Sequence, residues 1–414
     1  KQINNASYQP SIACLCRIAD WDLGASCWNS LWYTKTTTPR ISASVNTILT
    51  LFFSGFATGV TGGGSATPAV PSSIAQLKEW LADDTPRVIM IDKTFNFIGS
   101  EGTVTEPGCR LNTGTCTALN GGQDTIKTGD CDANEVRITV TYDKASYLGM
   151  DVGSNKSLVG KGSAGVLNGK GLRFKAGAKN VIVQNIHITN LNPQYVWGGD
   201  AISLSGNDGV WIDHVKLSKT GRQHFVSHYD ASRVTISNTE FDGVTSYSHS
   251  CNSDHYWTII VGGTGDKITF DRNYIHDVSG RAPKIGSSSG TQLVQAVNNY
   301  FYSGTGHNFD ISSSGHVLIE SNYFESCVTP LTSGSNGKIF NTASTSVEGN
   351  CASSLGRNCA VNYLSSNTGR MTSLTDSTVL SELGNYKSQL VAPLGYGKVV
   401  STVTANAGIG KIGN

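Results

Sequence analysis

Six segments in the second half of the chain repeat one pattern at intervals too short for a crossover helix. They are residues 180–188, 209–217, 233–241, 267–275, 293–301 and 316–324. Each opens mostly on a polar residue, runs through alternating apolar residues to Asn, His or Arg in most copies, and closes on another apolar pair. The matched second residues are Val181, Val210, Val234, Ile268, Val294 and Val317, spaced 29, 24, 34, 26 and 23 apart. An interval of that size is one supersecondary unit, and its irregular length means loops of variable size on at least one side. The segments are short, β-branched and of period two, with Gly, Asn, Ser and Asp between them, which is strand and turn chemistry. Nothing between them is periodic over the length of a helix, so each coil must pair in parallel with the next. The fold class expected is all-β: a single-stranded, right-handed parallel β-helix with loops forming a side cleft. Asn238, Asn298 and their matched neighbours are expected to stack in a turn ladder, each amide bonding the next.

One stretch has helical periodicity. Ser72–Asp83 carries Ile74, Leu77, Trp80 and Leu81 on one face behind a Ser cap. Lying before the first strands, it is expected to cover the open N-terminal end of the stack, whose unpaired edges would otherwise invite association. The residues after 350 lack the template and are expected to pack along the side.

Composition narrows the partners. Among 414 residues, 31 Lys+Arg balance 30 Asp+Glu and only 15% are charged, against roughly 25% in an average soluble protein. No basic block exists to displace counterions, which argues against nucleic acid. No run approaches the ~20 apolar residues of a membrane span. The ten cysteines include no CxxC pair, so they read as disulfides of an oxidising compartment rather than as a zinc ribbon. Asn155-Lys156-Ser157 and Asn5-Ala6-Ser7 are glycosylation sequons. A secreted, extracellular monomer is expected. Residues 1–54 differ from the rest: they hold Trp21, Trp28 and Trp32 with Cys14, Cys16 and Cys27, and Val45–Phe56 is like a signal-peptide core set far from the first residue. They are expected to be an appended segment, disordered or artefactual, with residues 55–414 as the folded domain.

Several motifs imitate chemistry. Gly160–Gly165 spells GxGxxG but is followed by strand and turn, not by the helix a dinucleotide site requires. Gly286–Gly290 spells GxSxG around Ser288 in a Ser/Gly loop, where a nucleophile elbow needs a strand-to-helix turn. His224 and His228 are four apart, but a strand splays them and no zinc pair forms. A glycoside hydrolase on this fold needs two converging carboxylates, and Asp200 and Asp213 each stand alone.

With the coil argued, Tyr195–Leu204, Trp211–Val215, Gly221–Val226, His255–Trp257 and Ser279–Lys284 become specific strings. Together with Gly59–Pro68 and the 173–192 stretch, they closely resemble the secreted fungal pectin lyases of the pectate lyase superfamily. The resemblance runs from about residue 55 to 361 and thins beyond. It implies eliminative cleavage of methyl-esterified homogalacturonan, a (1→4)-α-D-galacturonan methyl ester, to 4,5-unsaturated oligogalacturonides. A base removes the C5 proton alpha to the C6 carbonyl, positive charge or donors meet the enolate-like oxygen, and the C4 oxygen leaves. By the same resemblance the base falls on Arg281, with Lys284, Arg222 and Asp200 around it. A neutral arginine demands desolvation and neighbouring cations, which Lys284 and Arg222 are expected to supply.

Calcium-dependent pectate lyases share this fold but carry carboxylate ligands, and hard Ca²⁺ takes 6–8 oxygens. Arg222 and Val226 fall where that relative has acids, leaving Asp200, so no metal and no cofactor are expected. A methyl ester is uncharged and already withdraws electrons from C5. Trp197, Trp257, Gln223 and His224 match the family's substrate contacts, while Trp211 belongs in the core. Disulfides Cys109–Cys131, Cys116–Cys251 and Cys351–Cys359 are implied, with Cys327 left as a buried thiol. Between Cys109 and Cys131 the family places tryptophans, and this chain has none. The alternatives are a calcium-dependent pectate lyase and a non-catalytic pectin-binding β-helix.

Overall fold

In a computed structural model, residues 55–111 and 116–413 are described. Residues 1–54, expected from the sequence to be an appended segment, lie outside them with their sequon and three cysteines. Three long parallel sheets, of nine, nine and eight strands, share one staircase of coils. The six repeats stand in register in the first sheet: Val181 pairs with Val210, Val210 with Val234, Val234 with Ile268, Ile268 with Val294 and Val294 with Val317. Two coils precede them, through Lys156–Gly160 and Arg87–Ile91, and one follows, through Lys338–Asn341. Alternate residues of all three sheets fill one continuous lumen of Val, Ile, Leu and Phe, including stacked Phe301 and Phe324 with ring centroids 4.6 Å apart.

The helix spans Ile74–Ala82, with the Ser73 side chain accepting from Gln76 N at its start. Leu77 and Leu81 are fully buried, and Ile74 and Trp80 pack against the lumen's end. The C-terminal residues do pack along the side. Helix Ser377–Gly384 lies against the first sheet, and Tyr396–Asn406 covers the tyrosines of the second.

The turn ladder exists one residue away from its expected place. Asn273, Asn299, Asn322 and Asn362 form it, each Nδ2 donating to the next Oδ1 at 2.9–3.0 Å, and Thr239 N begins the column by donating to Asn273 Oδ1. Asn238 and Asn298 are instead the left-handed residues that turn the chain, with φ of 44° and 60°. Their amides reach outward to Asp213 and Asp271. Of the two adjacent polar positions, the one whose side chain returns inward stacks, and the one that accepts φ > 0 cannot.

A hairpin leaves the stack before the first coil is complete. Thr103–Leu111 pairs antiparallel with Glu135–Asp143, and Asp124–Ile126 joins both to Tyr195–Val196. This four-stranded flap is stapled by Cys109–Cys131 and tied to the 251 loop by Cys116–Cys251. Cys351–Cys359 closes a short loop near the C-terminal end. These are the pairs the family resemblance implies. Cys327 is free and buried, with its thiol pushed up to about 12 by burial.

Candidate active site

The third sheet carries the cleft. One outward-facing row crosses seven of its strands: Asp151, Arg173, Ser203, Val226, Ile260, Lys284 and Asp310 stand side by side in parallel register. Ion pairs close both ends of the row, Arg173–Asp151 and Lys284–Asp310, each at 2.6 Å. Between them the floor is uncharged.

Arg222 and Arg281 rise from the loops that enter this sheet. The Arg222 guanidinium carbon lies 3.4 Å from the centroid of the Trp197 ring, and that ring is 48% exposed. Arg281 stands 4.5 Å from the Trp257 centroid and 5.8 Å from that of Tyr256. Its backbone is left-handed at φ 47°, and Gly280 before it has no room for a Cβ, which would meet the Tyr256 ring at 2.5 Å. The SGR segment is therefore bent to lay the guanidinium on two aromatic rings. Neither arginine has a carboxylate within ion-pairing distance, although most other arginines described do.

Burial pushes the Arg281 guanidinium below its ordinary value, against the opposing pull of Tyr256 and Asp310. Burial likewise lowers Arg222, with Asp200 opposing and the Arg281 charge adding to the depression. Asp200 is pushed up by burial, although Gln223 N donates to its Oδ1 at 2.8 Å and Arg222 favours its charge. Asp200 and Arg222 share a pocket of about 150 Å³ with Tyr147, Leu148, Trp197 and Gly199. They make no direct ion pair, because the guanidinium is drawn over the indole face instead.

The sequence expectations meet this geometry unevenly. Arg281, Arg222, Asp200, Lys284, Trp197 and Trp257 all converge on the cleft. Lys284 does not crowd Arg281, since Asp310 takes up its charge. Gln223 and His224 are corrected: both are fully buried and present nothing to substrate. His224 faces the lumen, its ring parallel to His255 at 4.6 Å and stacked toward Phe241. Strand alternation starts only at Phe225, so the turn before it sends His224 inward. His228 sits outward against Ser203, so the two histidines are splayed. Trp211 packs with Ala57, Val60 and Ile182, and Asp213 is buried among Gln184, His214, Ser237 and Asn238.

Residues that sequence reasoning passed over complete the cleft. Tyr256 shares the guanidinium with Trp257; His307 meets Tyr256 edge-on, and His249 lies tilted against both rings. His255 Nε2 lies 2.7 Å from the Arg222 carbonyl and 3.2 Å from that of Trp257. Carbonyls only accept, so Nε2 carries the hydrogen, and burial holds the ring's pKa down at about 4. Tyr256 and His255 lay inside a recognised string but had no periodicity to give them a direction.

Two groups of possible metal ligands occur among the described residues, and neither faces the cleft. Cys109 and Cys131, near Glu135, are joined to each other. Glu240, Asp242 and His276 lie on the second sheet, with Lys216 Nζ 2.8 Å from each carboxylate.

Residues 115–412 match the family described as Pectate lyase. A protein named Probable pectin lyase F-2 from Aspergillus terreus is 51% identical over 87% of this chain and 74% of its own length. Probable pectin lyase F of Neosartorya fischeri is 50% identical over 87% of this chain and 94% of its own. Among solved structures, the thermostable pectate lyase PL 47 matches with a TM-score of 0.52 at 15% identity, over 87% of this chain and 97% of that one. A pectate lyase variant from Xanthomonas campestris matches at 0.51 and 17%, over 88% and 100%. At such identities the structures speak for the fold. The chain belongs to the pectate lyase family and groups with its fungal pectin lyases.

Proposed function

We propose that the chain is a pectin lyase, cleaving methyl-esterified homogalacturonan by β-elimination with Arg281 as the base. The observation that carries this is the pairing pattern of the cleft cations. Lys284 is neutralised by Asp310, while Arg281 is desolvated on two rings with no carboxylate beside it. An unpaired, partly dried guanidinium loses its proton more readily than a solvated one. Neutral Arg281 takes the C5 proton, and the electron pair of that C–H bond forms the C4=C5 double bond. The C4–O bond breaks, solvent water protonates the departing oxygen, and Arg281 returns its proton to solvent. Arg222 supplies positive charge to the C6 carbonyl oxygen as it becomes enolate-like, and Lys284, held by Asp310, offers that oxygen an N–H donor. Asp200 holds the Arg222 loop through Gln223 N.

The uncharged floor of Val226 and Ile260, walled by Trp197, Trp257 and Tyr256, suits an ester better than a carboxylate. Arg222 and Val226 stand where calcium-dependent relatives place acids, which supports elimination without a metal. Secretion agrees with the three disulfides, and no helix among the described residues is long and apolar enough to cross a membrane. Asn155 accepts from Asn180 through Oδ1 at 2.8 Å, and its Nδ2 remains for a glycan. Lys156 and Ser157 are fully buried, so that glycan must be added before folding. The protein acts as a monomer, with residues 55–414 as its lyase domain.

The test is substitution of Arg281 by Ala, assayed on esterified pectin by the absorbance of the unsaturated product. Turnover should vanish while the fold persists; activity that survives overturns the base assignment.

A further inference from the structure

The flap between Cys109 and Cys131 has no tryptophan, yet it reaches the cleft through one buried carboxamide. Gln123 is 5% exposed. Its Nε2 donates to the Pro193 carbonyl at 2.8 Å and to the Gly221 carbonyl at 3.1 Å. Its Oε1 accepts from the Trp257 indole N–H at 2.9 Å. Both amide hydrogens are thus used, and each partner lies on a different segment. Pro193 leads into the turn that carries Trp197. Gly221 immediately precedes Arg222 and fits only as glycine, since a Cβ there would lie 2.4 Å from the Tyr195 carbonyl. Trp257 is the platform under Arg281.

We infer that Gln123 is a positioning residue for the elimination, clamping the Trp257 platform of Arg281 to the loop that bears Arg222. It touches neither substrate nor reacting atoms. Its effect runs through the indole: a ring pinned by its N–H holds one face against the guanidinium and keeps water from that side. A ring freed from the clamp would let Arg281 resolvate, and the guanidinium would hold its proton more firmly. Cys116–Cys251 anchors the same flap to the loop before His255, so the carboxamide is presented from a fixed base. A purely structural glutamine would need no partner in the cleft wall. The inference rests on the lyase reading for its kinetic consequence but not for its geometry.

The experiment uses the whole chain and compares Q123M, W257F and the double variant on highly esterified pectin across pH. Q123M keeps the length of the side chain and removes all three hydrogen bonds. It should lower kcat/KM by about 10- to 100-fold, the scale of a small displacement in a reacting geometry. The limb on which activity rises with pH should move to higher pH, and Q123M should cost much less in the W257F background. An unmoved limb with full kcat/KM, or equal losses in both backgrounds, would overturn the clamp. Hydrogen exchange at the Trp257 indole, assigned by its loss in W257F, gives a second reading that needs neither Gln123 variant nor activity. Slow exchange is expected, and exchange at the rate of an exposed indole would contradict the clamp even if Q123M fails to fold. A wild-type chain that makes no unsaturated product but protects this indole would refute the lyase reading and leave the clamp standing.

Discussion

The turn ladder and the cleft both bury polar groups, and they are built to opposite rules. In the turn ladder, the amide groups of Asn273, Asn299 and Asn322 are bonded to the next rung and to backbone carbonyls. Around the cleft, Arg222 Nε is buried without a protein partner, its guanidinium drawn over the Trp197 ring instead. Trp197 and Arg281 there take left-handed backbone conformations, which beside the ladder fall to Asn238 and Asn298, a residue type that tolerates them. Satisfied polar groups stabilise, whereas unsatisfied ones cost free energy and persist where chemistry needs them. The ladder is therefore scaffold and the cleft is machinery, although both are rich in buried polar side chains.

The sharpest way to break that division is Arg281→Ala. Loss of a general base removes roughly 10²- to 10⁴-fold of rate, so turnover should fall by at least that, with the melting temperature unchanged. Asn322→Ala should do the reverse. Its amide serves Ala296, Glu320 and Asn362, and its oxygen serves Asn299. Orphaning such buried partners costs about 2–4 kcal/mol, visible in urea unfolding, while kcat of the folded fraction should hold. Arg222→Ala should lower kcat/KM by about 30-fold through lost charge at the developing oxyanion. It should also push the Asp200 carboxyl higher still, measurable as a change in the pH profile. An Arg222 variant that loses stability but not rate would move Arg222 to the scaffold side.

The smallest effect is a pH slope. His255 has an ordinary value of 6.5 and is held at about 4 in the fold, so between these values the unfolded chain binds the extra proton. Its contribution to stability is complete above pH 6.5 and is lost as pH falls toward 4, by about 1.4 kcal/mol per pH unit at most. His255→Gln should flatten stability against pH in that window. An unchanged slope would mean that the ring is not held neutral between the two loops.

How much of this could be read beforehand follows from where periodicity exists. The register of Val181 through Val317 was legible because alternation and spacing both act on the strands. The ladder was placed one residue off because Asn298 and Asn299 are chemically alike, and only the handedness of the turn separates them. Arg281 and Arg222 came through the family's strings, not through any pattern of their own. Gln223 and His224 were misdirected since the turn at Gly221 breaks the alternation before Phe225. Gln123 had no local signal, because its partners lie 70 or more residues away. Loop contacts of that range are decided by tertiary packing.

The most direct test of the lyase assignment follows the ultraviolet absorbance of the unsaturated product on two substrates. One reaction holds highly esterified pectin with a chelator, the other unesterified polygalacturonate with calcium. Product on pectin despite the chelator is the expected result. Product only on the unesterified polymer with calcium would contradict it.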